Sequence, residues 1–326
     1  MSSNAIAFER KLCSILQQGL PIYPRPFAEI AKAMDIEEDE VLRLIHRLKA
    51  AGLIRRICAI VDYRALGMVS TLITAHIPVK KLAEVAKTVN SLPGVSHNYL
   101  RDHHYNLWFT LQAKSRLEIE STLSNFSNRF GIDFHSLPSR RVFKLDVRFD
   151  TGSNSRVSSS EMKKLPASKA VKLSDIQKRV LAKLQDDIEL TERPFALLCD
   201  EGQNEQDVLA TVNELINKGV IRRIAAVVNH QMLGFAANIL FVCKVPQGKV
   251  ARAGKALSQL PVVSHCYERE TFEGWPYNLF AMMHGRSIDD IQEVIAEFIR
   301  VQGIHSYQLL PTIAELKKQP VRFTLL

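Results

Sequence analysis

Two short segments of the chain concentrate side chains that bind anions and transfer protons. The first runs from 96 to 109 and contains His97, Tyr99 and Arg101, followed by His103 and His104. If residues 97 to 101 form a strand, the two-residue period of a strand places His97, Tyr99 and Arg101 on one face. Arginine offers a planar fork to carboxylates, tyrosine offers a hydroxyl, and histidine carries a proton near neutral pH or ligates iron. This combination is typical of a functional site for an anionic ligand.

The second segment repeats this arrangement near the end of the chain. His265, Tyr267 and Arg269 again alternate, a longer loop carries Trp275, and His284 follows, so these two regions hold five of the ten histidines. Burying arginine, tyrosine and histidine together is costly, which favours a functional interpretation of both segments. A lone strand histidine is more often structural, and that interpretation goes to the others: His46, His76 and His230, together with His135 and His305, which align near the ends of the last strands.

The two segments belong to two copies of a larger unit. Arg25-Pro26-Phe27 recurs as Arg193-Pro194-Phe195, and the segment Gly52–Ile57 recurs as Gly219–Ile224. The offset is 167 or 168 residues as far as the His-x-Tyr-x-Arg element and 172 residues after it. A period of domain size indicates a duplicated or fused protein rather than a solenoid.

Each copy shows the same order of predicted elements, which predicts the α+β class. In copy one, apolar spacing and capping residues predict helices at 7–18, 27–34 and 38–51 and a strand at 57–61. A strand at 70–77, a helix at 79–92, two strands around His97 and Trp108, a helix from Ser115 to 130 and a strand at 132–137 follow. Copy two is expected to repeat this order, with helix caps at Ser174 and Ser287.

These elements predict a winged-helix-like (helix-turn-helix) domain followed by a ferredoxin-like βαββαβ domain in each copy. The predicted boundaries are 1–62 and 63–150 for copy one, and 174–229 and 230–326 for copy two. Residues 151–173 form a basic Ser/Lys-rich linker that is too poor in apolar residues to pack, so we expect it to be flexible. The two copies should pair within the chain as a pseudo-dimer, and further homo-oligomers stay possible.

Composition is that of a folded, non-membrane protein. The chain has 326 residues, 46% hydrophobic and 24% charged, which excludes a disordered chain or a small disulfide scaffold. The five cysteines lack metal-site spacing, so we expect reduced thiols. No leader-like start and no long apolar run is present, which predicts a cytoplasmic protein with no membrane contact. The formal net charge of +9 permits an anionic partner, although the predicted linker alone carries +4.

The start of the third helix argues against DNA as that partner. A recognition helix places its first turn among phosphates, with basic or amide side chains towards the bases. Here residues 35–40 contain five carboxylates, and copy two has an acidic stretch at 200–207. Acidic residues also suit the positive end of a helix dipole, which is the simpler interpretation. Arg55-Arg56 and Arg222-Arg223 can be phosphate contacts, surface charges or anion contacts facing another part of the protein; the sequence leaves these alternatives open.

Two family resemblances follow from these residues. Gly52-Leu53-Ile54-Arg55-Arg56 after the third helix, with Leu66-Gly67 beyond it, resembles the Lrp/AsnC family of transcription regulators. The two histidine-rich segments, one ending in Tyr105-Asn106-Leu107-Trp108 and the other in Trp275-Pro276-Tyr277-Asn278-Leu279, resemble the sirohaem decarboxylases in their fused two-subunit form. No nucleotide-binding, zinc-protease or serine-hydrolase motif competes with them.

The second resemblance implies that two acetate side chains of sirohaem lose CO2 to give 12,18-didecarboxysirohaem, a step of haem d1 or alternative haem biosynthesis. It implies no cofactor, since the iron belongs to the sirohaem substrate, and an iron tetrapyrrole as the partner. Decarboxylation requires a general acid, for which His103 or His104 is the first choice, with His97 beside them. The expected substrate-binding residues are Arg101, Tyr99, Tyr105, Asn106, Trp108, His265, Tyr267, Arg269, Trp275, Tyr277, Asn278 and His284.

Three alternatives stay open at this point. One histidine could ligate the substrate iron axially and would then not transfer a proton. The protein could instead be an Lrp/AsnC-type DNA-binding regulator that responds to haem, or a non-catalytic tetrapyrrole carrier. No metal site of the protein's own is expected.

Overall fold

Copy one begins with three helices that end at a glycine. In the computed structural model, which describes residues 3–145, 170–229, 232, 234, 237–319 and 321, α1 spans Ser3–Gln18, α2 spans Pro26–Met34 and α3 spans Glu38–Ala50. Pro26 suits the first turn of α2, where its missing N–H is not needed. Gly52 follows α3 with φ 76°, a left-handed conformation that ends the helix at low cost. These bounds confirm the predicted helices to within a few residues.

The rest of copy one is a βαββαβ unit. After β1 (Ile54–Val61) come β2 (Val69–Ala75), α4 (Val79–Ser91), β3 (Val95–Arg101), β4 (Leu107–Ala113), α5 (Arg116–Phe130) and β5 (Phe134–Leu145). Ser115 caps α5 by accepting a hydrogen bond from the backbone N–H of Glu118, as the sequence predicts. Helices α4 and α5 cover one face of the sheet, where alternate strand residues such as Ile73 and Phe109 form a core.

Copy two repeats this order with one exception. It contains α6 (Asp175–Leu184), α7 (Glu205–Asn217), β6 (Ile221–Val228), β7 (Ala237–Cys243), α8 (Val250–Ser258), β8 (Val263–Arg269), β9 (Leu279–Gly285), α9 (Ile288–Gln302) and β10 (Tyr307–Lys318). The middle helix expected from the repeat is only a 3-10 turn, Ala196–Leu198, so that prediction was wrong. Cys199 is already extended and Gly202 is left-handed with φ 79°, and neither conformation continues a helix.

The two ferredoxin-like units close one eight-stranded barrel. Its strand order is β10-β3-β4-β2-β5-β8-β9-β7, so each half is joined to the other through β10–β3 and β5–β8. The predicted last strand, 132–137, is too short, because β5 continues to Leu145 by pairing with β8 of the other copy. Buried apolar residues from both copies, among them Trp108, Trp275, Phe280 and Leu310, fill the barrel interior. We call this cluster the joint core. This arrangement agrees with an intramolecular pseudo-dimer.

The helical domains are joined in the same way. β1 and β6 form an antiparallel two-stranded sheet with each other, so each strand pairs with its counterpart. One apolar cluster, which includes Phe27, Ile45, Phe195 and Leu215, runs through both helical domains. Arg55 lies 3.8 Å from Glu315, and Arg222 lies 2.9 Å from Asp62. For the arginine pairs the sequence left phosphate contacts, surface charges and anion contacts within the protein open. For Arg55 and Arg222 the structure shows the last of these.

Some predictions lie outside the described residues. The first part of the predicted linker, 151–169, and His230 belong to this group. The structure supplies no direct test of the predicted domain boundaries, which stay predictions. Within the described ranges no helix is both long and apolar enough to cross a membrane.

Candidate functional site

Each histidine-rich strand presents a row of three side chains to the barrel interior. We call His97, Tyr99 and Arg101 on β3 the copy-one row, and His265, Tyr267 and Arg269 on β8 the copy-two row. In the copy-one row the His97 and Tyr99 ring centroids are 6.1 Å apart, and the guanidinium of Arg101 lies 5.3 Å from the Tyr99 ring. The corresponding distances in the copy-two row are 6.2 Å and 4.5 Å. The alternation predicted from the sequence therefore places each set on one face.

Strand register shows that this face is the interior one. Tyr99 pairs directly with Trp108 and Tyr267 pairs directly with Phe280, and both partners lie in the joint core. Directly opposite residues of antiparallel strands share a face. Both rows therefore line the inside of the barrel.

The two arginines of these rows are held by backbone carbonyls and, for Arg101, by uncharged side chains, and not by acids. Arg101 is 3% exposed, and its Nη1 donates to the Leu310 carbonyl at 2.8 Å and to Thr312 Oγ1 at 3.0 Å. Nη1 of Arg269 donates to the Leu137 carbonyl at 2.8 Å, in the equivalent position of the other half. Within the described part of the chain no carboxylate pairs with either guanidinium, and the Nε of each is buried without an acceptor.

Burial sets the protonation of both rows. It lowers the pKa of Arg101 to about 10 and also lowers that of Arg269. Burial, together with the Lys318 ammonium, lowers the pKa of His97 to about 4, so this ring is neutral at physiological pH. Nδ1 of His97 is 2.8 Å from Ser96 Oγ, and Nδ1 of His265 is 2.9 Å from Ser264 Oγ. At neutral pH His97 therefore holds no imidazolium proton to donate, and its neutral ring is a weak base.

The surroundings of the two rows differ in size and charge. Beside the copy-one row stand Asn238, Thr312 and Glu315; the register places Ser70, Ser139 and Val142 at the equivalent positions beside the copy-two row. Thr312 Oγ1 accepts a hydrogen bond from Arg101 and donates one to Asn238 Oδ1 at 2.9 Å. The Thr312 and Asn238 side chains thus occupy the space beside the copy-one row. Beside Tyr267 the smaller residues leave a cavity of about 360 Å³.

The predicted general acids lie on the turn between β3 and β4. His103 is half-buried: its Nδ1 accepts a hydrogen bond from the Tyr105 backbone N–H at 2.9 Å, and its side chain also bonds to Gln308. Burial lowers its pKa. His104 is exposed and stacks on His76, with ring centroids 4.2 Å apart and planes 5° from parallel. The two histidines therefore have different environments, one enclosed and one open to solvent.

Aromatic side chains from both copies enclose this turn. Tyr105 makes edge contacts with His135, Phe272 and Trp275 at centroid distances of 5.5, 5.4 and 5.7 Å. His103 meets the Trp275 ring edge-on at 5.6 Å. The Trp275 indole N–H is buried and has no acceptor among the described residues. These contacts form a site that combines histidines of copy one with aromatic side chains of copy two.

Four further predicted residues occupy less direct positions. Asn106 exchanges two hydrogen bonds with the Ile77 backbone, at 2.8 and 2.9 Å, and Asn278 does the same with Val245. These two amides are thus committed to the backbone, which does not favour the predicted substrate contact. Tyr277 packs edge-on against Trp275 in the joint core at 4.9 Å. His284 is buried on β9 opposite Asn238, near the Arg101 end of the copy-one row.

The sequence did not single out several residues that the structure brings together here. The sequence predicts structural roles for His76 and His135. In the structure His76 stacks on His104, and His135 stacks on Phe272 with ring centroids 3.9 Å apart. The expected equivalence of His135 with His305 was wrong. Thr74 pairs with His135 and its counterpart Val242 pairs with Gln308, so Gln308 is the equivalent residue and His305 precedes β10. A shared Leu-Pro, 137–138 and 310–311, was the signal for this register.

Comparisons with known proteins address the fold and family. A family model described as AsnC-like ligand binding domain matches residues 65–144 and 232–317. A second, described as siroheme decarboxylase NirDL-like HTH domain, matches 9–55 and 177–222. The crystal structure of the siroheme decarboxylase NirDL is 32% identical with a TM-score of 0.75, covering 97% of this chain and 94% of that one. The crystal structure of that enzyme with an iron-uroporphyrin III analogue is 33% identical with a TM-score of 0.74 and has the same coverage.

Curated relatives match over nearly the whole length. A siroheme decarboxylase of Hydrogenobacter thermophilus is 35% identical over 316 residues, which is 96% of this chain and 94% of the relative. The siroheme decarboxylase NirDL subunit of Paracoccus pantotrophus is 33% identical over 290 residues, 88% of this chain and 87% of the relative. The resemblance drawn from the two histidine-rich segments is confirmed, and the chain belongs to the siroheme decarboxylase family.

Proposed function

We propose that this protein removes two acetate carboxyl groups of sirohaem as CO2, giving 12,18-didecarboxysirohaem, and that it is a carboxy-lyase without an organic cofactor. The observation that carries the proposal is a guanidinium at equivalent positions of both copies, buried at Arg101 and half-buried at Arg269, without an acidic partner among the described residues. An unpaired buried guanidinium is costly, and a carboxylate ligand offsets that cost. Sirohaem carries carboxylates around its whole edge.

The arginines supply affinity. A guanidinium forms charge-assisted, often bidentate hydrogen bonds with a carboxylate, and these are about twice as strong as neutral ones. The tyrosine beside each arginine keeps its hydroxyl protonated, because burial raises the pKa of Tyr99 and of Tyr267. Each row can therefore offer a carboxylate a guanidinium and a phenol O–H. The macrocycle is then oriented by its periphery.

The chemistry needs one proton for each acetate. The bond between the carboxyl carbon and the methylene breaks, CO2 leaves, and the electron pair stays on the methylene carbon. A proton must then reach that carbon, so the acetate becomes a methyl group. We assign this proton transfer to the histidines on the turn between β3 and β4, His103 and His104.

The hydrogen bonds of His103 restrict how it can act. Because Nδ1 accepts from the Tyr105 N–H, the ring is neutral with its proton on Nε2. A bound polyanion favours the charged ring, and charging Nδ1 would release the Tyr105 N–H. His104 is exposed and needs no such rearrangement. An iron-ligating role falls to whichever of the two faces the metal of the bound substrate.

Anaerobic incubation of the full chain with sirohaem, followed by mass analysis of the tetrapyrrole, tests the proposal. We expect two successive mass losses, each equal to one CO2, and a matched release of CO2. The double variant Arg101→Met, Arg269→Met serves as the inactive control. A protein that shifts the sirohaem spectrum but returns it unchanged is a carrier, and that result would refute the proposal.

A further inference from the structure

An arginine on the turn that follows the helical domain lines the cavity beside Tyr267 of the copy-two row. Arg64 belongs to the 3-10 turn Tyr63–Leu66, between β1 and β2. Its side chain lines the same cavity as Tyr267 and is 38% exposed. A solute that enters the cavity therefore meets this guanidinium.

A buried carboxylate fixes the direction of Arg64. Asp62 is 3% exposed; its Oδ1 accepts from Nε of Arg64 at 3.0 Å and its Oδ2 accepts from Nη2 at 2.8 Å. Arg222 adds a third contact to Oδ2 at 2.9 Å. Burial alone would raise the pKa of Asp62, but the hydrogen bonds and charges of the two arginines outweigh it and hold the pKa at about 2. One carboxylate between two guanidinium groups leaves an excess positive charge at this wall.

The remaining nitrogen of Arg64 is the group available to a ligand. Nε and Nη2 are used by Asp62, and Nη1 has no acceptor among the described residues. Three other ionised groups line the cavity: the exposed Arg116 and Glu120, and the half-buried Glu270, which lies 3.9 Å from Arg116. The Asp62 side chain, 4% exposed, is screened by water and salt far less than these groups, whereas the Arg64 side chain, 38% exposed, is screened about as much as that of Glu270, 36% exposed.

The internal repeat shows that the Arg64–Asp62 pair occurs beside only the copy-two row. At an offset of 167 residues, Asp62 corresponds to Asn229 and Arg64 corresponds to Gln231. The copy-one row therefore lacks the equivalent carboxylate and guanidinium. The cavity volume of about 360 Å³ is at the lower end of the roughly 300–1,000 Å³ range of small-molecule sites, so it suits an edge of a large ligand.

We propose that Arg64 is a substrate-binding residue that takes one peripheral carboxylate of the tetrapyrrole in this cavity, and that Asp62 is its positioning residue. The inference rests on the proposed function for the identity of the ligand. Arg64 and Tyr267 then contact the same edge of the macrocycle from two walls of the cavity. The two rows consequently differ in how tightly they bind an acidic edge.

Titration of the full chain with sirohaem under anaerobic conditions, followed by visible absorption, tests this. Arg64→Gln installs the residue that the repeat carries at position 231 and should raise the dissociation constant about ten- to hundred-fold. Arg64→Lys keeps the charge but loses the two-pronged contact with Asp62, and Asp62→Asn leaves Arg64 unanchored; both should weaken binding less. Arg300→Ala on α9, whose side chain is 73% exposed, removes the same charge far from the barrel interior and should bind normally.

A second ligand separates recognition from structural damage. Haem b, with only two carboxylates, should lose much less affinity than sirohaem on Arg64→Gln, whereas a deformed barrel would weaken both equally. Unchanged sirohaem affinity in Arg64→Gln, or equal losses for both ligands, would overturn the assignment. If Arg64→Gln does not fold, the same comparison is made with Arg64→Lys. Failure of the wild-type protein to release CO2 would refute the proposed function and leave these binding constants as the test of Arg64.

Discussion

Replacing Arg101 by methionine should weaken sirohaem binding while it changes the free energy of unfolding little. Methionine fills much of the same volume with an unbranched, uncharged side chain. A purely structural arginine would give the opposite pattern, with lost stability and unchanged affinity. The two measurements together therefore decide what Arg101 does.

The expected stability change follows from two opposing effects. Burial lowers the pKa of Arg101 from 12.5 to about 10, and at about 1.4 kcal/mol per pH unit the charged form costs about 3 kcal/mol in the folded protein. A depressed folded-state pKa of a base is a cost that is fully present below that pKa, hence at neutral pH. Methionine removes this cost but also the bonds from Nη1 to Leu310 and Thr312, each worth about 1.5 kcal/mol for a charged donor. The two contributions nearly cancel.

The binding change has no such compensation. Loss of a charge-assisted contact with a substrate carboxylate should cost about 1.5–3 kcal/mol, or roughly 10- to 150-fold in the dissociation constant. Anaerobic titration and urea unfolding of Arg101→Met, with Arg300→Ala as the control, measure both quantities. A loss of more than about 4 kcal/mol in the free energy of unfolding, with unaltered sirohaem affinity, would show that Arg101 is structural.

Three further predictions concern the turn, the joint core and the helical domains. His103→Ala and His104→Ala should be compared by single-turnover CO2 release, and the variant that removes the acid should be slower by roughly 100-fold or more with near-normal binding. Normal rates in both variants would move the assignment of the acid to copy two. If a variant loses both sirohaem affinity and the spectrum of the bound iron, the replaced histidine is an axial ligand. Trp275→Ala should lower the free energy of unfolding by about 3–5 kcal/mol in denaturant titration, because Trp275 is 2% exposed and packs against residues of both copies. A change below about 1 kcal/mol would contradict that packing. Fluorescence anisotropy should detect no salt-sensitive submicromolar binding to any defined DNA site, since Glu38, Asp39 and Glu40 fill the first turn of α3. Such binding would show that these carboxylates do not keep α3 away from the DNA phosphates.

Local signals in the sequence were sufficient for most elements of the fold. Ser174 and Ser287 form the expected capping arrangements at α6 and α9, because these caps depend on residues only three positions apart. The alternation in residues 97–101 was likewise sufficient to place three side chains on one face. What the sequence could not show was pairing between copies. The extension of β5 to Leu145 depends on β8, which is more than 100 residues away in the chain.

The same limit applies to the site. The stacking of His76 on His104 joins the end of β2 to a turn that follows β3, and only the sheet register makes them neighbours. The contact of Phe272 with His135 joins two copies and has no periodic signal. The role of Asp62 was also hidden, since a single aspartate before a turn normally predicts only a cap.

Duplication within one chain explains why the two rows can share residues and differ in chemistry. In a symmetric dimer every substitution appears twice, so both interior sites change together. A fused chain is free of that constraint: Glu315 stands opposite Tyr99, whereas Val142 stands opposite Tyr267. Glu315 is itself 3.8 Å from Arg55 and 3.5 Å from Lys318, so it adds bulk and polarity beside Tyr99 rather than an unpaired negative charge, whereas Val142 lines the cavity beside Tyr267 together with Arg64. The cavity and the Arg64–Asp62 pair therefore distinguish copy two from copy one, although each row consists of the same three residue types.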